Sequence, residues 1–91
     1  MPYKVKIISE AAEDLVEIYQ YYQNTQYIEK FHQKFEALLS LLEMWPSDTP
    51  KIGRFQKHTV LKRFVVLYEI NKTEVRIVRI FDGRSDFQQN L

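Results

Sequence analysis

Residues 3 to 8, YKVKII, alternate apolar and basic side chains and then become fully apolar, which is the period of a strand. Ser9 follows, with Glu10 and Glu13 behind it. A serine N-cap and acids in the first turn suit a helix dipole. Ala11, Leu15, Ile18 and Tyr22 then recur at spacings of four, three and four, and Ala12 and Tyr19 widen the stripe. This pattern predicts a helix with one buried face. The stretch NTQ at 24–26 breaks it. Ile28, Phe31, Phe35, Leu38 and Leu42 begin a second stripe, broadened by Leu39, while Glu29, Lys30, Gln33, Lys34 and Glu36 fall on the water side. WPSDTP at 45–50 stops this second helix, because proline cannot continue one. Trp45 is expected to anchor the helix end against a sheet. A short loop between two amphipathic helices predicts an antiparallel hairpin.

Beyond Lys51 the period becomes strand-like. A strand is expected over 55–61, another over RFVVLYEI at 63–70, and a third over VRIVRIF at 75–81. Asn71-Lys72-Thr73 would turn the last two into a hairpin. The order β-α-α-β-β-β predicts an α+β fold: a helical hairpin packed on one face of a four-stranded antiparallel sheet. No repeat, linker or low-complexity segment interrupts the 91 residues, so a single domain over 1–91 is expected.

Composition narrows the chemistry. Apolar residues make up 45% of the chain and aromatics 14%, enough for a packed core. There is no cysteine, which excludes disulfides, thiolate zinc sites and cysteine nucleophiles. With only His32 and His58, a histidine-rich metal site is not expected, and Glu69, Asp82 and Asp86 lack the spacing of a carboxylate metal site. MPYKVKIISE carries no signal-like apolar stretch, and no run approaches a membrane span. A soluble, cytoplasmic protein is expected. The net charge of +1 is weak evidence for nucleic acid, so the placement of the charges matters more than their total.

Three stretches, SEAAEDLVEIYQYY, KRFVVLYEI and VRIVRIFDGRSDF, in this order, resemble the RelE/ParE superfamily of toxins from bacterial toxin–antitoxin modules. The match includes the Asp14-Leu15 pair of the first helix, Arg63 before a strand that reaches Tyr68, and the turn Asp82-Gly83-Arg84-Ser85-Asp86. Asp82 and Ser85 depart from the histidine and second arginine of the family's tail. The resemblance implies a toxin that arrests growth until a cognate antitoxin folds over it. It implies no cofactor. RelE-like members cut messenger RNA on the ribosome, whereas ParE-like members are not nucleases and poison DNA gyrase.

Metal-free RNA cleavage needs a base for the 2′-hydroxyl, an acid for the leaving oxygen and cations aimed at the phosphoryl oxygens. RelE-like toxins place a tyrosine near the C-terminus, but here Phe87 stands in that neighbourhood and the last tyrosine is Tyr68. A nuclease reading would therefore assign catalysis to His58, Arg63, Arg79 and Arg84. The ParE-like reading is preferred: Lys57, Lys62, Arg63, Arg79, Arg84 and Phe87 would then form a target-binding surface. Ribosome-dependent mRNA cleavage is the alternative, and an inactive antitoxin-binding member is the third. Tyr19, Tyr21 and Tyr22 exceed what the helical stripe needs and are candidates for a partner surface. Each residue also has a plainer reading: Arg79, sharing a strand face with Val75, Ile77 and Phe81, would pair with Glu69, Asp82 or Asp86. His58 would be structural, His32 solvated, and the tyrosines a core rim.

Overall fold

The computed structural model describes residues 2–47 and 49–83. A short strand β1 (Lys4–Ile7) leads into helix α1 (Ser9–Tyr22) and helix α2 (Gln26–Met44), followed by β2 (Lys51–Ile52), β3 (Phe55–Val60), β4 (Phe64–Asn71) and β5 (Glu74–Asp82). The helical hairpin and the three long C-terminal strands stand where the periodicities put them. The sheet has five strands rather than four, in the order β1-β5-β4-β3-β2. It is mixed rather than antiparallel, because β1 runs parallel to β5, pairing Val5 with Val75 and Ile7 with Ile77. The two helices form the crossover that a parallel neighbour requires. The additional strand β2 is two residues long and pairs Lys51 with Gln56 and Ile52 with Phe55. Two residues carry no readable period.

Both helices cover one face of the sheet. Ala11 and Ile18 of α1 and Phe31, Phe35, Leu38 and Leu42 of α2 pack on Val60, Phe64, Val66, Tyr68, Val75, Ile77 and Ile80. Aromatic rings dominate the centre: Phe31 stacks on Phe35 at 5.7 Å and meets Phe64 edge-on at 5.0 Å. The N-cap of α1 is Ile8, with no side-chain cap, so Ser9 is the first helical residue and not its cap. Trp45 is 59% exposed and does not anchor α2. Buried Pro46 takes that place, its carbonyl accepting a hydrogen bond from the Tyr68 hydroxyl at 2.7 Å.

The β4–β5 ladder slips by one residue between Leu67 and Tyr68. Tyr68 pairs with Ile77 but Leu67 pairs with Arg79, so Val78 is extra. This bulge reverses the alternation. Val75, Ile77 and Ile80 face the helices, while Arg79 lies beside Leu67, away from the core. The strict period of two, which put Arg79 on the face of Val75 and Ile77, fails at this point.

Candidate functional site

The turn from β3 to β4 presents Arg63. Leu61 and Lys62 both adopt φ of 56°, in the left-handed region that branched and long side chains avoid. Arg63 then donates its amide to Val60 O at 3.1 Å and accepts the Gly83 amide at 2.7 Å. Close approach favours glycine at position 83. A Cβ there would lie 2.9 Å from the Arg63 carbonyl oxygen and 3.1 Å from Val65 Cγ2. The strand end that carries the tail is thus seated directly on the arginine's backbone.

The Arg63 side chain is enclosed. Its Nε and Nη2 both lie 2.8 Å from Asp82 Oδ2. Its guanidinium carbon sits 5.1 Å from the Tyr22 ring, 5.6 Å from Tyr27 and 5.3 Å from Phe64. A cation held among three ring faces and a carboxylate is strongly fixed. The hydrogen bond to Asp82 pushes its proton affinity above the ordinary arginine range. Burial pushes the Tyr22 hydroxyl up as well, so it stays protonated.

Arg79 meets Asp14 of α1. Arg79 Nε lies 2.8 Å from Asp14 Oδ2 and its Nη2 3.2 Å from Oδ1, a two-point grip. Asp14 Oδ2 also accepts the Ile80 amide at 2.9 Å. That amide lies on the stretch of β5 beyond Ile77, where β1 no longer pairs. The bond to Asp14 raises the Arg79 proton affinity too. Arg79 is ion-paired, as its neighbours imply, but its partner is Asp14 rather than Glu69 or Asp82; Asp82 serves Arg63, and Asp86 lies outside the described residues. Asp14 was visible in the sequence only as half of the Asp14-Leu15 motif. Its carboxylate lies 65 positions from the arginine it binds.

The two arginines line one groove of about 350 Å³ between α1 and the end of β5, with Asp14, Tyr21, Tyr22 and Asp82 among its walls. Tyr21 is 79% exposed on its rim. The other two tyrosines are occupied: Tyr22 packs edge-on to Phe64 at 5.9 Å, and Tyr19 meets Phe31 and bonds His32 Nδ1 at 2.8 Å. Tyr68 is fully buried.

The remaining candidates are dispersed. Lys57 of β3 shares a cross-strand row with Leu67 and Arg79. Lys62 is exposed in the strained turn. His58 lines a separate cleft with Lys34, Leu38 and Leu41 on the α2 side of β3, where burial lowers its proton affinity. Arg84 and Phe87 lie outside the described residues. Among the described residues no group of three metal-ligating side chains converges, and no helix is long and apolar enough to cross a membrane.

A family model for the ParE toxin of the type II toxin–antitoxin system parDE matches residues 5–87. The chain belongs to the ParE toxin family. The match spans both arginine pairs and all secondary-structure elements except the first residue of β1. No curated protein matches the chain. Solved structures share the fold of this family member at low identity. The chromosomal ParDE system of P. aeruginosa gives a TM-score of 0.72 at 19% identity over 88% of this chain and 95% of that one. YafQ from E. coli strain BL21(DE3) gives 0.64 at 14% over 93% and 98%. The E. coli DinJ–YafQ toxin–antitoxin complex gives 0.65 at 14% over 96% and 99%.

Proposed function

We propose that this ParE-family toxin arrests growth by binding a protein target, DNA gyrase, without cutting RNA. A cognate antitoxin would neutralise it by covering the groove that holds Arg63 and Arg79. The observation that carries the reading is the state of those two arginines. Each is already paired at 2.8 Å with a carboxylate of its own chain. A phosphoryl-transfer site needs its cations free to meet charge developing on phosphate, and here Asp82 and Asp14 compete for that place. The general base that a nuclease would draw from His58 sits in a different cleft. A preorganised, self-neutralised groove with an exposed tyrosine suits protein contact better, since tyrosine and arginine are the side chains that carry such interfaces.

Controlled expression in cells lacking the antitoxin tests this. Growth arrest with intact transcripts and damaged DNA is expected, together with inhibition of purified gyrase by the purified chain. Codon-positioned cuts in mRNA, abolished by His58→Ala or Arg63→Ala in a folded variant, would establish the nuclease instead. Healthy growth at high expression would leave only antitoxin binding.

A further inference from the structure

We infer that the β2–β3 end of the sheet binds the phosphate backbone of duplex nucleic acid. From Thr49 to Tyr68 the chain carries Lys51, Arg54, Lys57, Lys62 and Arg63 and not one carboxylate. Arg63 is committed to Asp82. Lys51, Arg54, Lys57 and Lys62 form no ion pair among the described residues. Helix α1 is the converse, with Glu10, Glu13, Asp14 and Glu17 and no cation. A net charge of +1 therefore conceals two separated fields, and the positive one is gathered at this end.

The same end has a built cleft. Ser47, Thr49, Lys51, Arg54, Gln56 and Ile70 line a hollow of about 410 Å³. Gly53, at φ 60°, turns the chain so that Lys51 and Arg54 flank it. Its floor is held by a polar chain. The Gln56 amide, in a side chain only 3% exposed, donates to Thr49 O at 3.1 Å and to Thr49 Oγ1 at 3.2 Å. Thr49 Oγ1 lies 2.6 Å from the Tyr68 hydroxyl, which donates to Pro46 O. The hollow is thus set before any ligand arrives.

The chemistry of the lining selects the ligand. Protein interfaces centre on apolar and aromatic groups and are depleted in charge, whereas phosphates are held by Lys, Arg, Ser and Thr. Of the six lining side chains only Ile70 is apolar. Lys51 and Arg54 lie at one end of β3 and Lys62 just past the other, roughly 20 Å apart at strand rise. That span matches a run of backbone phosphates on one duplex. The inference stands independently of the gyrase reading, because it concerns direct contact with the nucleic acid.

Fluorescence anisotropy of the purified full chain with a labelled duplex of about 20 base pairs tests it. Three phosphate contacts, from Lys51, Arg54 and Lys62, predict a slope of log K against log salt near about −2.7, roughly a 40-fold loss between about 50 and about 200 mM. Lys51→Glu with Arg54→Glu should weaken binding at least about tenfold and flatten the slope by about 2. Lys4→Glu with Lys30→Glu makes the same net-charge change at exposed positions on β1 and α2, and should stay within about twofold. Circular dichroism melting accompanies both, and Lys51→Gln with Arg54→Gln replaces the reversal if that pair melts early. Equal weakening by both pairs would overturn the site in favour of diffuse charge. Absence of saturable binding at low salt would overturn it outright. Displacement of DNA by polyglutamate at equal charge concentration would reassign the cleft to an acidic protein.

Discussion

At the α1–β5 end of the molecule Arg63 and Arg79 each hold a carboxylate at 2.8 Å, whereas at the β2–β3 end Lys51, Arg54, Lys57 and Lys62 meet none among the described residues. The first pair of cations joins elements far apart in sequence: three rings and Asp82 fix Arg63, and Asp14 of α1 grips Arg79 at two points. The second set stands on a two-residue strand, two turns and β3, where Arg54 lies 5.0 Å from the Phe55 ring and no described carboxylate holds any of the four. Side chains of one chemical type therefore do opposite jobs. Those with partners organise the fold, and those without are open to something outside it.

Substitutions can break this contrast, and the largest effect is expected at Arg63. Arg63→Ala strips three ring faces of their cation and removes the pair with Asp82, and should cost about 3 kcal/mol in urea unfolding. Asp14→Ala deprives both Arg79 and the Ile80 amide of their acceptor. About 2 kcal/mol should be lost, and fast hydrogen exchange at Ile80 would identify the cause. Gly83→Ala pushes a methyl group against the Arg63 carbonyl and should cost about 1 kcal/mol, seen as a melting shift of a few degrees.

A smaller effect is expected from pH. Burial lowers the proton affinity of His58 in the folded chain below the unfolded value of 6.5, so the unfolded chain binds the extra proton first. Stability should be complete above 6.5 and decline as pH falls below it, and His58→Gln should flatten that decline in melting curves between about pH 7 and about pH 5. Smallest of all, Lys57→Ala and Lys62→Ala should each stay within about 0.5 kcal/mol, because no partner is lost. A loss as large as that of Arg63→Ala at either lysine would erase the distinction between the two ends.

Much of the scaffold was legible because burial imposes a period. Ile28, Phe31, Phe35, Leu38 and Leu42 announce α2, and RFVVLYEI announces β4. The parallel partnership of β1 with β5 was not, since nothing local to KVKI records which strand it will meet. The bulge at Val78 was hidden for a related reason. A run of Val, Ile and Arg reads the same whether or not one residue is extra, yet that residue decides where Arg79 goes. The site was half legible. Of the cationic set Lys57, Lys62, Arg63, Arg79 and Arg84, only Arg63 and Arg79 share a groove among the described residues, and the carboxylates that hold them are set by tertiary geometry. Lys51 and Arg54 belong to no motif, and only the acid-free stretch around them marks them in the sequence.

The bond from the Ile80 amide to Asp14 has a consequence for behaviour at high concentration. An unpaired strand margin is a template on which another chain can hydrogen-bond and propagate an aggregate. Beyond Ile77 no described strand pairs with this margin, and the helix carboxylate takes one of the donors that an incoming strand would need. With that donor occupied the margin offers an incoming strand one bond fewer, so Asp14→Ala should shorten the time the protein stays monodisperse as well as lower its stability.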